Sequence, residues 1–388
     1  MRVLVIHNSY KIFGGEDVST QAEVALLKEH DMQVDTYYVS NNDISGSNNI
    51  KLALNAIWSG FQYREILKKI KKGNYDIVHV QNFFPLLSPS IFYAAKKAKT
   101  KVIMSVRNYR LICPNAMLFV NGSICRECVG RRIPSAGFFK KCYRKSAAAS
   151  SAVVAMLTVH NFLNTWKHKI DAFICVSNFV REQLIAGGLE SSKLLVKHNF
   201  VATDIAPNFE SGQYYIYSGR LSEEKGIDIL LDAFKMSSRK LLIAGDGPMK
   251  EIVESVAGEN ANITYAGKCD LHQNYKLISN AKALIFPSKW HEPFGRTIVE
   301  AFAHGTPAIA SALGGITEII TDQQNGFLFN PYKKGDLIRA INEFEKLNDP
   351  SGMRRNCYDT YKKYFLPSSN FNELICIYQN VISTDELT

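Results

Sequence analysis

Short apolar runs, each closed by a polar or glycine-containing turn and followed by residues at helical spacing, recur along almost all of this 388-residue chain. RVLVIH (2–7) leads into the turn Phe13-Gly14-Gly15 and then into a helix-period stretch through Val24, Leu26 and Leu27. VDTYYVS (34–40), YDIVHVQ (75–81), KVIMSV (101–106) and AFICVS (172–177) continue the alternation. Runs of this kind read as strands buried on both faces, and strands alternating with helices imply a parallel sheet covered by helices. A second series follows with YYIYSG (214–219), KLLIAGDG (240–247), NITYAG (262–267), KALIFPS (282–288) and TPAIAS (306–311). The class is α/β, with two doubly wound, Rossmann-like domains. The length also exceeds what one core usually holds. Turn formers at 199–213 mark the junction, giving domains at 1–205 and 206–370. A last helical pattern, FNELICIYQNVIS (371–383), belongs to a terminal segment 371–388.

No stretch reaches the ~18 uninterrupted apolar residues of a membrane-spanning helix. The start, MRVLVIHNSY, lacks a signal peptide's cationic flank and cleavage site, so the expected location is cytoplasmic. Charge is lopsided: residues 1–205 carry 27 Lys+Arg against 14 Asp+Glu, and 206–388 carry 19 against 22. Within 51–170 the count is 21 against 3. Such a surface suits anionic lipid head groups, nucleic acid or a diphosphate-bearing acceptor; an ordinary solvated face is the plainer explanation. The apolar stretch AAASSAVVAMLTV (147–159) beside FFKKCYRK (138–145) has the composition of an interfacial anchor on the inner face of a plasma membrane, or else of a buried helix.

In open α/β sheets ligands bind beyond the carboxyl ends of the strands, which directs attention to three segments. In SGRLSEEKGIDILLDAF (218–234), Arg220 and Lys225 stand where they can hold a diphosphate, or can form surface ion pairs with Glu223 and Glu224. In SKWHEPFGRTIVEAFAHGTPAIAS (288–311), Pro293, Phe294 and Gly295 predict a tight loop with a helix starting near Arg296. Its N–H groups and dipole would face anionic or hydroxylated ligands. Glu292 is then placed to accept from sugar hydroxyls and Glu300, a turn into the helix, to accept from a ribose; the plainer reading makes them a solvated loop residue and a helix support. Gly14 and Gly15 allow close approach to a phosphate, or simply turn the chain.

Together these segments resemble the family 4 glycosyltransferases, whose donor-domain signature is a Glu-x7-Glu pair, here Glu292-PFGRTIV-Glu300. The resemblance extends over GRLSEEKG (219–226), AGDGP (244–248), YAGK (265–268), FPS (286–288), the Gly314-Gly315 turn with Glu318, and NGFLF (325–329). In the first domain it covers GGED (14–17), DIVHVQNFFPLLSP (76–89) and NYRLICPN (108–115). It implies a GT-B fold whose two domains face a central cleft, acceptor-binding in 1–205 and donor-binding in 206–370. The C-terminal helix would cross back to the first domain. The implied reaction is transfer, with retention, of a sugar from a nucleotide-diphosphate sugar to a glycan or polyprenyl-diphosphate-linked acceptor in cell-surface polysaccharide biosynthesis. No cofactor is required for catalysis and no nucleic acid is involved. By position, Gly15 would meet the donor phosphates, Arg220 and Lys225 the leaving diphosphate, and Glu292 the transferred sugar. Backbone amides of Phe294 and Gly295 would hold its hydroxyls, Glu300 the ribose, and Gly267 and Lys268 the base, with Arg296 beside them. Where many relatives carry a histidine after the fourth strand this chain has Arg107, and a second histidine after His79 is replaced by Gln81. His79 and Arg107 are candidates for acceptor or sugar contact; for His79 the alternative is a satisfied histidine at a strand end.

Cys113, Cys125, Cys128 and Cys142 follow the pattern Cys-x11-Cys-x2-Cys-x13-Cys inside a basic insertion at about 107–146. The spacing fits a structural tetrathiolate zinc site, with an iron–sulfur cluster or four unligated thiols as alternatives. Among competing functions, a nucleotide-sugar epimerase needs neither the cationic first domain nor this insertion. A dinucleotide-dependent oxidoreductase would show GxGxxG after the first strand, which is absent. A catalytically silent scaffold would not need Glu292, Glu300, Arg220 and Lys225 together.

Overall fold

The computed structural model describes residues 1–11, 14–44, 49–210 and 212–383; Phe13 of the expected glycine turn lies outside them. The chain divides into two compact units. The first comprises Met1–Val120, Cys125–His198 and the chain from Ser368 onward; the second comprises Asn121–Ile124 and Asn199–Pro367.

The first unit is built on β1 (Arg2–Ser9), β2 (Gln33–Ser40), β3 (Ile77–Asn82) and β4 (Lys101–Val106). The two-residue strands β5 (Phe119–Val120) and β6 (Ser123–Ile124) lie in the insertion, and β7 (Ala172–Cys175) and β8 (Leu194–Val196) complete the sheet. Its order is β2-β1-β3-β4-β7-β8, all parallel, with Val3 opposite Ile77 and Ile77 opposite Lys101. The central β3 is buried along its whole length, whereas the edge strand β2 is mostly half-exposed and correspondingly polar. Helix starts follow local chemistry: Ser59, Ser146 and Ser177 each accept a hydrogen bond from a first-turn amide of the helices Gly60–Gly73, Ala147–Phe162 and Asn178–Ala186.

The C-terminal helix, Pro367–Ser383, belongs to this first unit. Leu374, Ile377, Tyr378 and Val381 form a stripe at helical spacing that packs with Val3, Val5, Leu27, Ile77, Ile103 and Ile174. Burying each such apolar side chain stabilises by roughly 1.5–3 kcal/mol. The helix Ala147–Phe162, one candidate for an interfacial anchor, instead buries Val153, Met156, Leu157 and His160 within the unit. Its exposed apolar residues gather at its C-terminal end, at Val159, Phe162 and the following Leu163.

The second unit repeats the architecture with β9 (Tyr215–Ser218), β10 (Leu241–Ala244), β11 (Ile263–Gly267), β12 (Ala283–Phe286), β13 (Ala308–Ser311) and β14 (Gly326–Phe329). The order is β11-β10-β9-β12-β13-β14, again all parallel. The fully buried Arg354 of the helix Pro350–Tyr364 donates to the carbonyls of Asn208, Ser279 and Ala281 at 2.8–3.0 Å, tying that helix to the unit. Among the described residues no helix is long and apolar enough to cross a membrane.

Candidate functional site

In the second unit the carboxyl ends of β9 and β12 bring the 219–226 loop against the 287–295 loop. Gly226 has a left-handed backbone (φ +72), and a Cβ there would run into the Pro287 carbonyl, so only glycine allows this approach. Lys225 is thereby set beside Glu292: its Nζ donates to Oε1 at 2.6 Å while lying over the Phe286 and Trp290 rings, both at 5.5 Å. The same Glu292 oxygen accepts from Ser288 Oγ at 2.6 Å and from Trp290 Nε1 at 2.8 Å. The carboxylate is buried and its backbone is braced as well. Gly315 N donates to the Glu292 carbonyl at 2.8 Å, and Gly314 (φ +65) leaves no room there for a side chain.

Gly295, at φ +112, turns the chain into the helix Arg296–Ala303. Phe294 buries its ring against Phe365, 5.9 Å between centroids. Glu300 is 6% exposed and is bridged by Arg296 Nε at 2.9 Å, whose Nη1 also donates to the Phe200 carbonyl at 3.0 Å. Burial raises the Glu300 pKa, opposed by the Arg296 charge and its hydrogen bond. Arg220 and Lys268 are exposed, and Tyr217 OH donates to the Arg220 carbonyl at 2.7 Å, fixing the backbone from which that guanidinium projects. Gly267 ends β11 with φ +74. Lys225 and Glu292 thus meet on adjacent loops, with the Phe294-Gly295 turn and the helix that carries Glu300 following directly in the chain, Arg220 in the same loop as Lys225, and Gly267 and Lys268 at the end of β11 in the same sheet.

In the first unit Gly14 precedes the helix Gly15–Glu29, and its N–H is held by Asp17 Oδ2 at 2.9 Å. Gly15 is exposed, with no atom near the place a Cβ would take. Asp17 also accepts from His7 Nε2 at 2.9 Å and Tyr10 N at 3.2 Å, so the loop before the helix is anchored at three points. His79 and Arg107 are turned into the protein. His79 is fully buried, with Nδ1 2.7 Å from Tyr378 OH and Nε2 2.9 Å from Ser105 Oγ. Burial brings its pKa down to about 4, the Arg107 and Lys197 charges adding to this and Glu23 opposing. Arg107 pairs with Glu23 at 3.4 Å and with the Gln81 side chain. Glu23 also meets Lys197 at 3.2 Å and Gln81 Nε2 at 2.6 Å. His79 and Arg107 are therefore parts of a buried polar network, with both imidazole nitrogens engaged.

Cys113, Cys125, Cys128 and Cys142 line one small cavity of about 10 Å3. Cys113 Sγ donates to Asn115 Oδ1 at 2.9 Å and Cys128 Sγ to the Pro134 carbonyl at 3.5 Å. Burial, with the neighbouring thiols adding, pushes Cys128 to about 12 and Cys142 to about 11. As these side chains stand, no group of three or more His, Cys, Asp or Glu among the described residues is arranged to hold a metal.

Residues 203–364 match the family described as Glycosyl transferases group 1, and residues 23–205 match Glycosyltransferase Family 4. The chain belongs to glycosyltransferase family 4. A 42.6 kDa protein of the Klebsiella pneumoniae cps region is 26% identical over 66% of this chain and 62% of its own length. The lipopolysaccharide 1,2-N-acetylglucosaminetransferase of Salmonella typhimurium is 31% identical over 34% of this chain and 39% of its own. Matches to the Klebsiella protein and to two Methanocaldococcus jannaschii glycosyltransferases span 62%, 49% and 40% of those relatives' lengths. Among solved structures, Anabaena HepE in complex with UDP aligns over 98% of this chain and 100% of its own with TM-score 0.69 at 16% identity. The outer core galactosyltransferase WaaB aligns over 97% and 99% with TM-score 0.66 at 18% identity. These likenesses place the fold as GT-B.

Within this family 4 chain, sequence reading missed Ser288 and Trp290 as partners of Glu292, although both flank it in the same loop. It also missed Glu23 and Lys197. For Glu23 a signal exists: an acidic residue beside the apolar Val24, Leu26 and Leu27 on a helix, which a buried partner must compensate.

Proposed function

We propose that the protein is a retaining glycosyltransferase using a nucleotide-diphosphate sugar. The observation that carries this is the convergence on Glu292 of Lys225, Ser288 and Trp290 beside the Gly295 turn and the buried Glu300. Without donor, Lys225 and Glu292 neutralise one another. A diphosphate arriving near Lys225 and Arg220 offers a second anion, so the two cations stabilise the charge that builds as the sugar–phosphate bond breaks. Glu292 accepts from the hydroxyls of the transferred sugar. Amides of the Phe294-Gly295 turn donate to it, and Glu300 accepts from the ribose once Arg296 gives way. Departure and attack on the same face through an oxocarbenium-like state require no protein nucleophile and no metal.

The named functions of the Salmonella N-acetylglucosaminetransferase and the WaaB galactosyltransferase support a hexosyl transfer in cell-surface polysaccharide assembly. The UDP complex of HepE supports a uridine donor. The basic excess of the first half suits a diphosphate-linked or glycan acceptor at an anionic membrane. A structural zinc held by the four cysteines is a separate proposal, supported by their convergence on one cavity; binding would require Cys113 and Cys128 to turn from their present partners.

The test is calorimetric titration with UDP, GDP and their sugars, followed by transfer of labelled sugar to lipid-linked and soluble acceptors. Binding of one nucleotide and acceptor-dependent release of it are expected. A protein that binds neither nucleotide, or that converts a nucleotide sugar without any acceptor, overturns the assignment.

A further inference from the structure

A cavity of about 300 Å3 in the first unit is lined by residues from the insertion and from the approaches to β7 and β8. Phe173 is the second residue of β7, Trp166 and Lys167 precede that strand, and Glu190 and Lys193 precede β8. The cavity is therefore at the amino ends of β7 and β8, whereas α/β ligand sites form at carboxyl ends. Its outer wall comes from the insertion, through Cys128, Arg131, Arg132 and Pro134.

Two of the four cations lining it are committed to the protein. Lys167 pairs with Glu190 at 2.7 Å, and Lys193 Nζ donates to the carbonyls of Lys167 at 2.5 Å and Ile170 at 3.0 Å. Arg131 and Arg132 are exposed, and neither is paired with a carboxylate among the described residues; Arg132 lies over the Phe162 ring at 5.8 Å. The side chains interleaved with the lining residues are apolar and turned outward. Ile133, between Arg132 and Pro134, is 54% exposed; Phe162 and Leu163, between Asn161 and Asn164, are 53% and 54% exposed. Two guanidinia without a carboxylate partner among the described residues, at a cavity whose rim presents three bulky apolar side chains, match an amphiphile, with its anion inside and its hydrocarbon along the rim.

We infer that this cavity takes the phosphate head group of an anionic phospholipid while Ile133, Phe162 and Leu163 enter the bilayer surface. The inference rests on the membrane contact proposed above and gives it a place: a docking pocket walled by the insertion at the amino ends of β7 and β8. Guanidinium forks suit a phosphate's oxygens, and a rim of this size adds apolar area that a purely electrostatic contact lacks.

The experiment is co-sedimentation of the full chain with vesicles of phosphatidylcholine alone or mixed with phosphatidylglycerol. Wild type is expected on the mixed vesicles only. Arg131→Gln with Arg132→Gln should weaken this binding roughly 30-fold, the factor for two basic residues at an anionic surface. Ile133→Ser with Leu163→Ser should weaken it with no change of charge. Replacing Lys68, Lys69, Lys71 and Lys72 of the helix Gly60–Gly73 by Gln removes more charge elsewhere and should have the smaller effect. Inorganic phosphate at matched ionic strength should not compete; competition would show a pocket for free phosphate and overturn the lipid assignment. If mixed vesicles still bind the arginine variant as wild type, the pocket is wrong while membrane docking stands. If wild type ignores mixed vesicles at low salt, both fall. Nucleotide titration of the same variants, expected to match wild type, separates either failure from loss of the transferase site.

Discussion

One oxygen of Glu292 takes three donors, from Lys225, Ser288 and Trp290, while Oε2 takes none of them. The loop thereby holds the carboxylate in one orientation, so the proposed contact to sugar hydroxyls would need no reorganisation. Lys225→Ala removes the proposed diphosphate partner and leaves the Glu292 charge less compensated. Arg220→Ala removes only an exposed fork. Each should lower turnover by about two orders of magnitude or more, with the loss in Lys225→Ala at least as large. Initial rates alongside circular dichroism check this; unchanged turnover in both would remove the leaving-group role. The tight turn at Phe294-Gly295 and the helix start at Arg296, which set the positions of Glu292 and Glu300, were legible in the sequence. The Arg296–Glu300 bridge spans four positions of one helix and follows from that spacing, whereas the Arg296 contact to the Phe200 carbonyl, 96 positions away, does not.

At the scale of elements, the Glu23 network joins the first long helix, β3, β4, the end of β8 and the C-terminal helix, where Lys197 Nζ donates to Asn370 Oδ1 at 2.6 Å. Burial alone would raise the Glu23 pKa, but Lys197, His79, Arg107 and Gln81 bring it down to about 2 from an ordinary 4.5. Because the folded pKa is depressed, the unfolded chain takes up the proton first. The stabilisation is complete above about pH 4.5 and is lost as pH falls toward 2. His79, at about 4 against 6.5, acts with the same sign over the higher window. Glu23→Gln should cost roughly 3–5 kcal/mol at neutral pH, because Lys197 and Arg107 lose their buried counter-charge, and should flatten the acid limb. Denaturant midpoints measured from neutral pH down to about 3 test this; a variant with the wild-type acid profile would refute it. Ten of the fourteen described strands were readable as apolar runs, while the short β5, β6, β8 and β14 were not; this network was hidden because its members are far apart in sequence. The cysteine insertion makes the opposite case, since its spacing predicts more than the structure shows assembled. If zinc is present, the isolated protein should contain it stoichiometrically, and Cys125→Ser with Cys128→Ser should lose both metal and stability. Metal-free protein of full stability would leave four ordinary thiols.

For the whole molecule, two units with separate sheets and cores should unfold as separable transitions. Lys225, Glu292, Gly295 and Glu300 all lie within Asn199–Pro367, as do Arg220, Gly267 and Lys268. A nucleotide held by these groups stabilises the unit that binds it by RT ln(1 + [L]/Kd), about 2.7 kcal/mol at a hundredfold excess over Kd. Scanning calorimetry with UDP or GDP should therefore raise the transition of the second unit far more than that of the first. Glu300→Gln sharpens the test. A buried amide accepts from two ribose hydroxyls less well than a carboxylate, so nucleotide affinity should fall by roughly 1–3 kcal/mol and the shift should shrink by a like amount. The substitution also frees Arg296 from its carboxylate, so the variant's ligand-free transition is the baseline from which its shift is measured. Limited proteolysis at intermediate temperature assigns each transition to its unit. If neither nucleotide moves the second transition, or if Glu300→Gln responds as wild type does, nucleotide binding by the Glu300 helix is wrong, whatever the fold resembles.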